Sequence, residues 1–181
     1  MKKLCSLVGL TMVLVACNQT PPQSAAPEQA APAARPYGNL AQVMRGIPFP
    51  NSNIIFDTQT ADPAEAQKPA EGAGASASAQ FSSVYGGWQA VENAAIALQE
   101  TANLIMIPGR MCENGRPAPI ENEDYRKFAA ALADAGAATL KAAQSKDLDA
   151  MVDVSGTVSE ACAMCHEIYR DKPDEKDRCI P

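Results

Sequence analysis

Two thiols and an imidazole stand close together in the run Cys162-Ala163-Met164-Cys165-His166. This C-x-x-C-H spacing is the attachment signature of a c-type haem, in which each thiol adds to a vinyl group of the porphyrin and the next imidazole binds the iron. The sequence therefore predicts one covalent haem on Cys162 and Cys165, with His166 as the proximal ligand.

Two other kinds of site use the same residue types. A redox-active C-x-x-C requires a thioredoxin-like βαβ context, which this alanine-rich chain lacks. A structural zinc site is the stronger alternative, because cysteines and one histidine could supply four tetrahedral ligands. However, Cys165 and His166 are adjacent, which makes joint ligation awkward. The candidate zinc ligands are Cys112, Cys162, Cys165, Cys179 and His166.

The second axial position of a haem cannot be filled by histidine, because His166 is the only one in the chain. Methionine, lysine, water or a vacant site remain. Met164 lies inside the attachment loop, and Met151 is fifteen residues before His166. That separation is about 22 Å along one helix, at about 1.5 Å per residue, so neither methionine can reach the iron.

The motif lies in the last of four predicted helices. Asp147 is a suitable N-cap, Pro173 stops the helix, and the residues between them repeat apolar or small side chains every three or four positions. This spacing places the motif on the inner face. That face is formed by Leu148, Met151, Ser155, Val158, Cys162, Cys165 and Tyr169.

Three earlier segments also have helical periodicity. The first, 37–58, contains Pro48 and Pro50 and is predicted to be kinked or in two parts. The second begins near Trp88, a predicted core residue, and ends at Pro108-Gly109; the third follows Glu121-Asn122 and has small residues that permit close helix packing. With no alternating strand pattern, the sequence predicts an all-α protein, a four-helix bundle. The inner faces comprise Trp88, Val91, Ala95, Leu98, Ala102 and Ile105, then Tyr125, Phe128, Leu132, Ala135, Thr139 and Ala143.

The amino terminus predicts export. Residues 1–16 combine Lys2 and Lys3 with an apolar run and a small residue, as in a signal peptide. Leu14-Val15-Ala16-Cys17 resembles the lipobox of bacterial lipoproteins, which predicts that Cys17 is lipidated; ordinary cleavage near Ala16 is the alternative. We expect 17–36 to be a disordered tether, 37–181 the folded domain, and 60–78 a flexible loop within it.

Charge and cysteine count agree with an exported protein. The formal net charge is −6, and it becomes −8 when Lys2 and Lys3 leave with the signal peptide, which argues against nucleic acid as a partner. Six cysteines are present. Cys5 leaves with the signal and Cys17 takes lipid, while two belong to the haem motif. An oxidising compartment leaves few free thiols, so Cys112 and Cys179 are predicted to form a disulfide.

A C-x-x-C-H motif late in the final helix of an exported four-helix chain resembles the class II c-type cytochromes, that is, cytochrome c′ and its low-spin relatives. The resemblance covers about residues 37–170, and its most specific part is Cys162 to His166 followed by Tyr169-Arg170. It implies an up-down-up-down bundle. In that topology one end of the bundle holds the haem, together with Cys112 and Cys179.

The resemblance also implies ligands. The low-spin relatives take their axial methionine from the first helix, which corresponds to Met44 here, although Met106 and Met111 would lie at the same end. The alternative is that Met44 only packs on the macrocycle. Arg45, Arg110 and Arg170 would lie near the haem and are candidate partners of its propionates.

These expectations favour a periplasmic, membrane-anchored lipoprotein that transfers one electron between redox partner proteins and is not an enzyme. The resemblance further implies that two copies can form a homodimer. If Met44 does not bind iron, the resemblance implies a five-coordinate haem that binds a gas such as nitric oxide. A zinc-stabilised interaction module is the third hypothesis.

Overall fold

The computed structural model describes residues 34–65 and 86–181, and these residues are mainly helical. Within them the only strand-like pairing is an isolated bridge between Met111 and Pro117. The predicted all-α class is therefore confirmed for this part of the chain. Its α-helices are α1 (Leu40–Gly46), α2 (Pro48–Asp57), α3 (Gly87–Leu104), α4 (Glu123–Ser145) and α5 (Leu148–Tyr169), and a short 3-10 helix spans Glu175–Asp177.

The first predicted segment forms two helices, as the prolines indicated. Asn39 caps α1 in a capping box, in which its side chain accepts from the backbone N–H of Gln42 and the Gln42 side chain accepts from the backbone N–H of Asn39. Ile47 ends α1 and begins α2. Pro48 is the first residue of α2, where its missing N–H costs nothing.

The predicted inner face of α3 is buried along its whole length. The helix ends at Leu104, four residues before Pro108, which is earlier than expected. Arg110 accounts for this end, because its Nε donates to the Leu104 carbonyl at 2.8 Å and so satisfies an oxygen that has no partner within the helix.

A two-residue connection joins α4 to α5. Lys146 has a left-handed backbone, with φ 55°, and Asp147 then caps α5 by accepting from the Ala150 N–H at 3.0 Å. The predicted N-cap at Asp147 is confirmed. Such a short connection makes α4 and α5 neighbours.

Helix α4 packs against both α3 and α5, and α2 packs against α3, whereas α1 packs mainly against α2. The approach of α3 to α4 depends on Gly136, since a Cβ atom there would lie 2.9 Å from the Ala95 carbonyl oxygen. Trp88 is buried in the main core, as predicted. That core also contains Ile55, Val91, Leu98, Leu132, Ala143, Met151 and Val158.

In the part of the chain that the structure describes, no helix is both long enough and apolar enough to cross a bilayer. The predicted signal peptide, Cys17, the tether as far as residue 33 and the loop from residue 66 to 78 lie outside the described residues.

Candidate functional site

The C-x-x-C-H motif lies on the last three turns of α5, and its two thiols and its imidazole line one cavity. Cys162 and Cys165 have free thiols and are partly buried, as is His166. The cavity has a volume of about 460 Å³, within the range of roughly 300 to 1,000 Å³ typical of small-molecule and cofactor sites. A single helix face thus presents both thiols and the imidazole to one cavity.

The walls of this cavity come from four α-helices and two further segments, and they are mostly apolar. Besides α5, residues of α1, α2 and α4 contribute, together with the disulfide-linked segments after α3 and after α5. Aromatic rings are prominent, and Phe49, at the rim, is 64% exposed. The main aromatic lining residues are Phe49, Phe56, Tyr125, Phe128 and Tyr169.

Met44 is the only candidate axial methionine that lines the cavity within the described residues. Met106 packs in the same small cluster as Met44 without reaching the cavity, and Met111 is largely exposed. Met151 is fully buried in the main core. The structure therefore brings Met44, from α1, together with His166, from α5, and does not bring Met106 or Met111 there.

Burial is the largest cause of the pKa shifts of Cys162, Cys165 and His166. It raises the pKa of Cys162, and it raises the pKa of Cys165 to about 11, with Cys162 and Asp124 acting in the same direction. Both side chains are therefore neutral thiols near pH 7. Burial, followed by Arg170, lowers the pKa of His166. The neutral imidazole is favoured, which is the form that binds a metal.

Tyr169 fixes the end of α5, one turn after His166. Its hydroxyl donates to the Asp124 carboxylate at 2.6 Å and accepts from the Asn122 side-chain amide at 3.1 Å. Its ring packs edge-on against Tyr125, with a centroid distance of 5.4 Å. These contacts hold the motif against the first turn of α4.

The three arginines predicted near the haem are placed differently. Arg45 and Arg170 line the cavity. Arg110 does not; it is only 3% exposed, and its Nη1 donates to the Gly38 carbonyl at 2.6 Å. Arg110 thus connects the end of α3 to the approach to α1, and the structure does not bring it to the cavity.

Cys112 and Cys179 form a disulfide, with Cα atoms 6.6 Å apart, and both line the cavity. This is the pair that the cysteine count predicted. The disulfide holds the chain that follows α5 against the loop that follows α3, so that Glu113, Asn114, Glu175 and Arg178 also border the cavity.

A zinc site is poorly supported by this arrangement. Two of its five candidate ligands are joined in the disulfide, and among residues 34–65 and 86–181 no group of three or more His, Cys, Asp or Glu side chains is arranged to hold a metal ion. Cys162, Cys165 and His166 all come from five consecutive residues of one helix.

The same residues fit a haem. The cavity is lined mainly by apolar side chains, contains two thiols that could bond to vinyl groups, and offers the nitrogen of His166 and the thioether sulfur of Met44, which are donors of the kind that bind haem iron. Arginines at its border suit the two carboxylates of a haem. The fit rests on the chemistry of these donors and on their access to one cavity.

Comparison with protein-family models, with curated proteins and with solved structures gives no significant match to this chain.

Several lining residues were missed by the sequence reasoning. Phe49 and Phe56 lie on α2, whose apolar positions were read only as a continuation of the first helix. Arg178 and Glu113 each adjoin a cysteine of the disulfide. The predicted disulfide was expected at the haem end of the bundle. The residues next to Cys112 and Cys179 were therefore expected at that end as well, and this was the signal in the sequence that could have identified Glu113 and Arg178.

Proposed function

We propose that this chain is an exported monohaem c-type cytochrome that transfers single electrons and catalyses no reaction of its own. The observation that carries the proposal is that Cys162, Cys165, His166 and Met44 border one apolar cavity. The four side chains belong to two helices that are far apart in the sequence.

The helical arrangement that we propose is an up-down-up-down bundle in which α1 and α2 together form the first helix. Two clusters support it. One joins residues at the end of α3, the start of α4 and the end of α5, including Ile105, Tyr125 and Tyr169. The other joins Trp88, Ala143 and Met151, from the start of α3, the end of α4 and the start of α5.

Each side chain has a defined role in this proposal. Cys162 and Cys165 would hold the haem through two thioether bonds, each formed by addition of the thiol sulfur and hydrogen across one vinyl group with no atom released, and neutral His166 would bind the iron. Met44 would bind the iron through its thioether sulfur, which would favour a raised reduction potential. The iron of a bound haem supplies the one-electron chemistry. The apolar walls exclude water from it.

The decisive test is expression in a host that can mature c-type cytochromes, followed by a pyridine haemochrome assay. We expect one haem per chain that survives denaturation, and none after Cys162→Ala/Cys165→Ala. Colourless protein, or protein in which both thiols still react with alkylating reagents, would end the proposal.

Met44 is tested by absorption spectroscopy of the oxidised protein. We expect the weak far-red band of thioether ligation in the wild type and in Met106→Ala, and its loss in Met44→Ala. Met106 is the matched control, because it packs in the same cluster as Met44 but does not line the cavity.

A second candidate function is the binding of a small uncharged gas such as nitric oxide. It is favoured by the packing of Met44 among apolar residues that include Leu40, Val43 and Phe128, since methionine also serves as a core residue. In this alternative the iron has five ligands. A high-spin spectrum of the wild-type protein would select it over electron transfer.

We further propose that the protein is a periplasmic lipoprotein anchored through Cys17, that it meets redox partner proteins, and that it forms a homodimer. The amino-terminal pattern of residues 1–17 supports the anchor and the export, whereas the redox partners and the homodimer rest on the resemblance to class II cytochromes. Mass spectrometry of the mature chain tests the anchor, because acylation at Cys17 and removal of residues 1–16 give a defined mass. An unacylated chain would exclude it.

A further inference from the structure

Arg178 is held at the cavity by its backbone. Its carbonyl accepts from the Asn114 side-chain amide at 3.0 Å, and the next residue, Cys179, is fixed by the disulfide and by donation of its N–H to the Tyr169 carbonyl at 2.8 Å. Tyr169 ends α5, which also carries His166. The position of Arg178 relative to the haem-attachment motif is therefore set by three independent connections.

The guanidinium of Arg178 is only partly paired. Its Nη1 donates to Glu175 at 3.1 Å and lies 3.6 Å from Glu113 Oε2. Its Nε is buried and has no hydrogen-bond acceptor among the described residues, the only side-chain nitrogen or oxygen there in this condition. Buried N–H groups are rarely left without an acceptor, and this residue lines the cavity.

The other two arginines at the cavity also pair with carboxylates, but their side chains are 67% exposed for Arg45 and 57% for Arg170, against 31% for Arg178. Arg45 makes two hydrogen bonds to Glu113, at 2.9 and 3.2 Å, and Arg170 Nε donates to Asp171 at 2.6 Å. Glu113 also lies between Arg45 and Arg178 and connects α1 to the segment after α5. Arg178 is therefore the cation at the cavity with an unused buried donor.

We propose that Arg178 binds a carboxylate of the group that occupies the cavity, and that this carboxylate is a haem propionate. The inference rests on the proposed function. The Nε–H and a neighbouring N–H of guanidinium form a fork that matches a carboxylate. Residues 171–181, which lie outside the stretch that resembles class II cytochromes, thereby contribute directly to the cofactor site.

The test compares midpoint potentials of haem-loaded variants. Removing a cation beside the haem favours the more positive oxidised iron, so Arg178→Leu is expected to have a lower potential than the wild type, and Arg178→Lys an intermediate one. Lys176→Leu is the matched control, because it removes the same charge two residues away from Arg178. Lys176 is exposed and does not line the cavity. Its potential should stay near that of the wild type.

Equal midpoint potentials in Arg178→Leu and Lys176→Leu would overturn the inference. The presence of covalent haem in these variants would still leave the proposed function intact. Absence of haem from the wild type would overturn both. A crystal structure of the haem-loaded wild type decides directly, even if Arg178→Leu fails to fold. It should place a propionate oxygen within hydrogen-bond distance of Arg178 Nε, and a propionate bound elsewhere would contradict the inference.

Discussion

Among single residues, Tyr169 connects the C-x-x-C-H motif most directly to the rest of the fold. Its hydroxyl donates to Asp124, and this hydrogen bond is the main reason that the pKa of Asp124 lies below its usual value. A lowered carboxylate pKa means that ionised Asp124 stabilises the folded protein. The contribution is present above the unfolded pKa of about 3.9 and is lost as the pH falls through the folded value.

We therefore expect Tyr169→Phe to lower the free energy of unfolding at pH 7, and the difference from the wild type to shrink as the pH falls below about 4. The phenylalanine ring preserves the contacts with Tyr125 and Phe128, so only the hydroxyl is tested. Urea unfolding of haem-loaded protein at both pH values measures the effect. Tyr37→Phe, at an exposed tyrosine, is the control. A deficit of the same size at pH 7 and pH 3 would contradict the assignment to Asp124.

The sequence allowed the role of a residue to be predicted where the residue belongs to a local motif, or where the number of residues of one type limits how they pair. Cys162, Cys165 and His166 lie within five consecutive residues and form a recognisable motif. The pairing of Cys112 with Cys179 followed from the number of cysteines. Arg178 could not be singled out, because its unused donor depends on Glu113 and Asn114, more than sixty positions earlier.

Between helices, α4 approaches α3 closely at Gly136. A Cβ atom at this position would lie 2.8 Å from Gln99 Cγ and 2.9 Å from the Ala95 carbonyl oxygen of α3. The backbone of α3 cannot yield as a flexible side chain can. The small residue is therefore required for α3 and α4 to pack as they do.

We expect Gly136→Ala to destabilise the protein by about 1 to 3 kcal/mol, the usual cost of overpacking. The matched control is Gly156→Ala on α5, where a Cβ atom would contact nothing within 4 Å. That change should stabilise the protein by about 0.5 to 1 kcal/mol, since alanine loses less backbone entropy in a helix. Chemical denaturation of both variants measures whether the free energy of unfolding falls or rises. A stabilising effect of Gly136→Ala would contradict the expectation, because it would show that α3 moves away freely.

The helices were predictable because their inner faces repeat every three or four residues, and the N-cap at Asp147 and the break at Pro48 have local causes. The end of α3 was placed four residues too late. Periodicity continues through Ile105, but the helix stops because Arg110 folds back to take the Leu104 carbonyl. The contact that Arg110 makes from six positions away leaves no trace in the apolar pattern from which the end of α3 was predicted.

For the molecule as a whole, the Cys112–Cys179 disulfide restrains the segment that carries Arg178. It joins residues 67 positions apart, and in the chain-entropy account such a loop contributes about 4 kcal/mol to stability. We expect Cys112→Ala/Cys179→Ala to lose stability of that order in urea unfolding, while covalent haem is still present by pyridine haemochrome. Unchanged stability would mean that the segment is held by its hydrogen bonds alone.

The order of the cysteines along the chain has a consequence for biogenesis if the proposed function holds. Cys162 and Cys165 lie between Cys112 and Cys179 in the chain, so in an oxidising compartment the thiols of the C-x-x-C-H motif would compete with the pair that forms the disulfide. Closing a small ring costs less chain entropy than closing a large one, which favours oxidation within the motif. Attachment of haem would then require a reductant that reopens this short-range disulfide first.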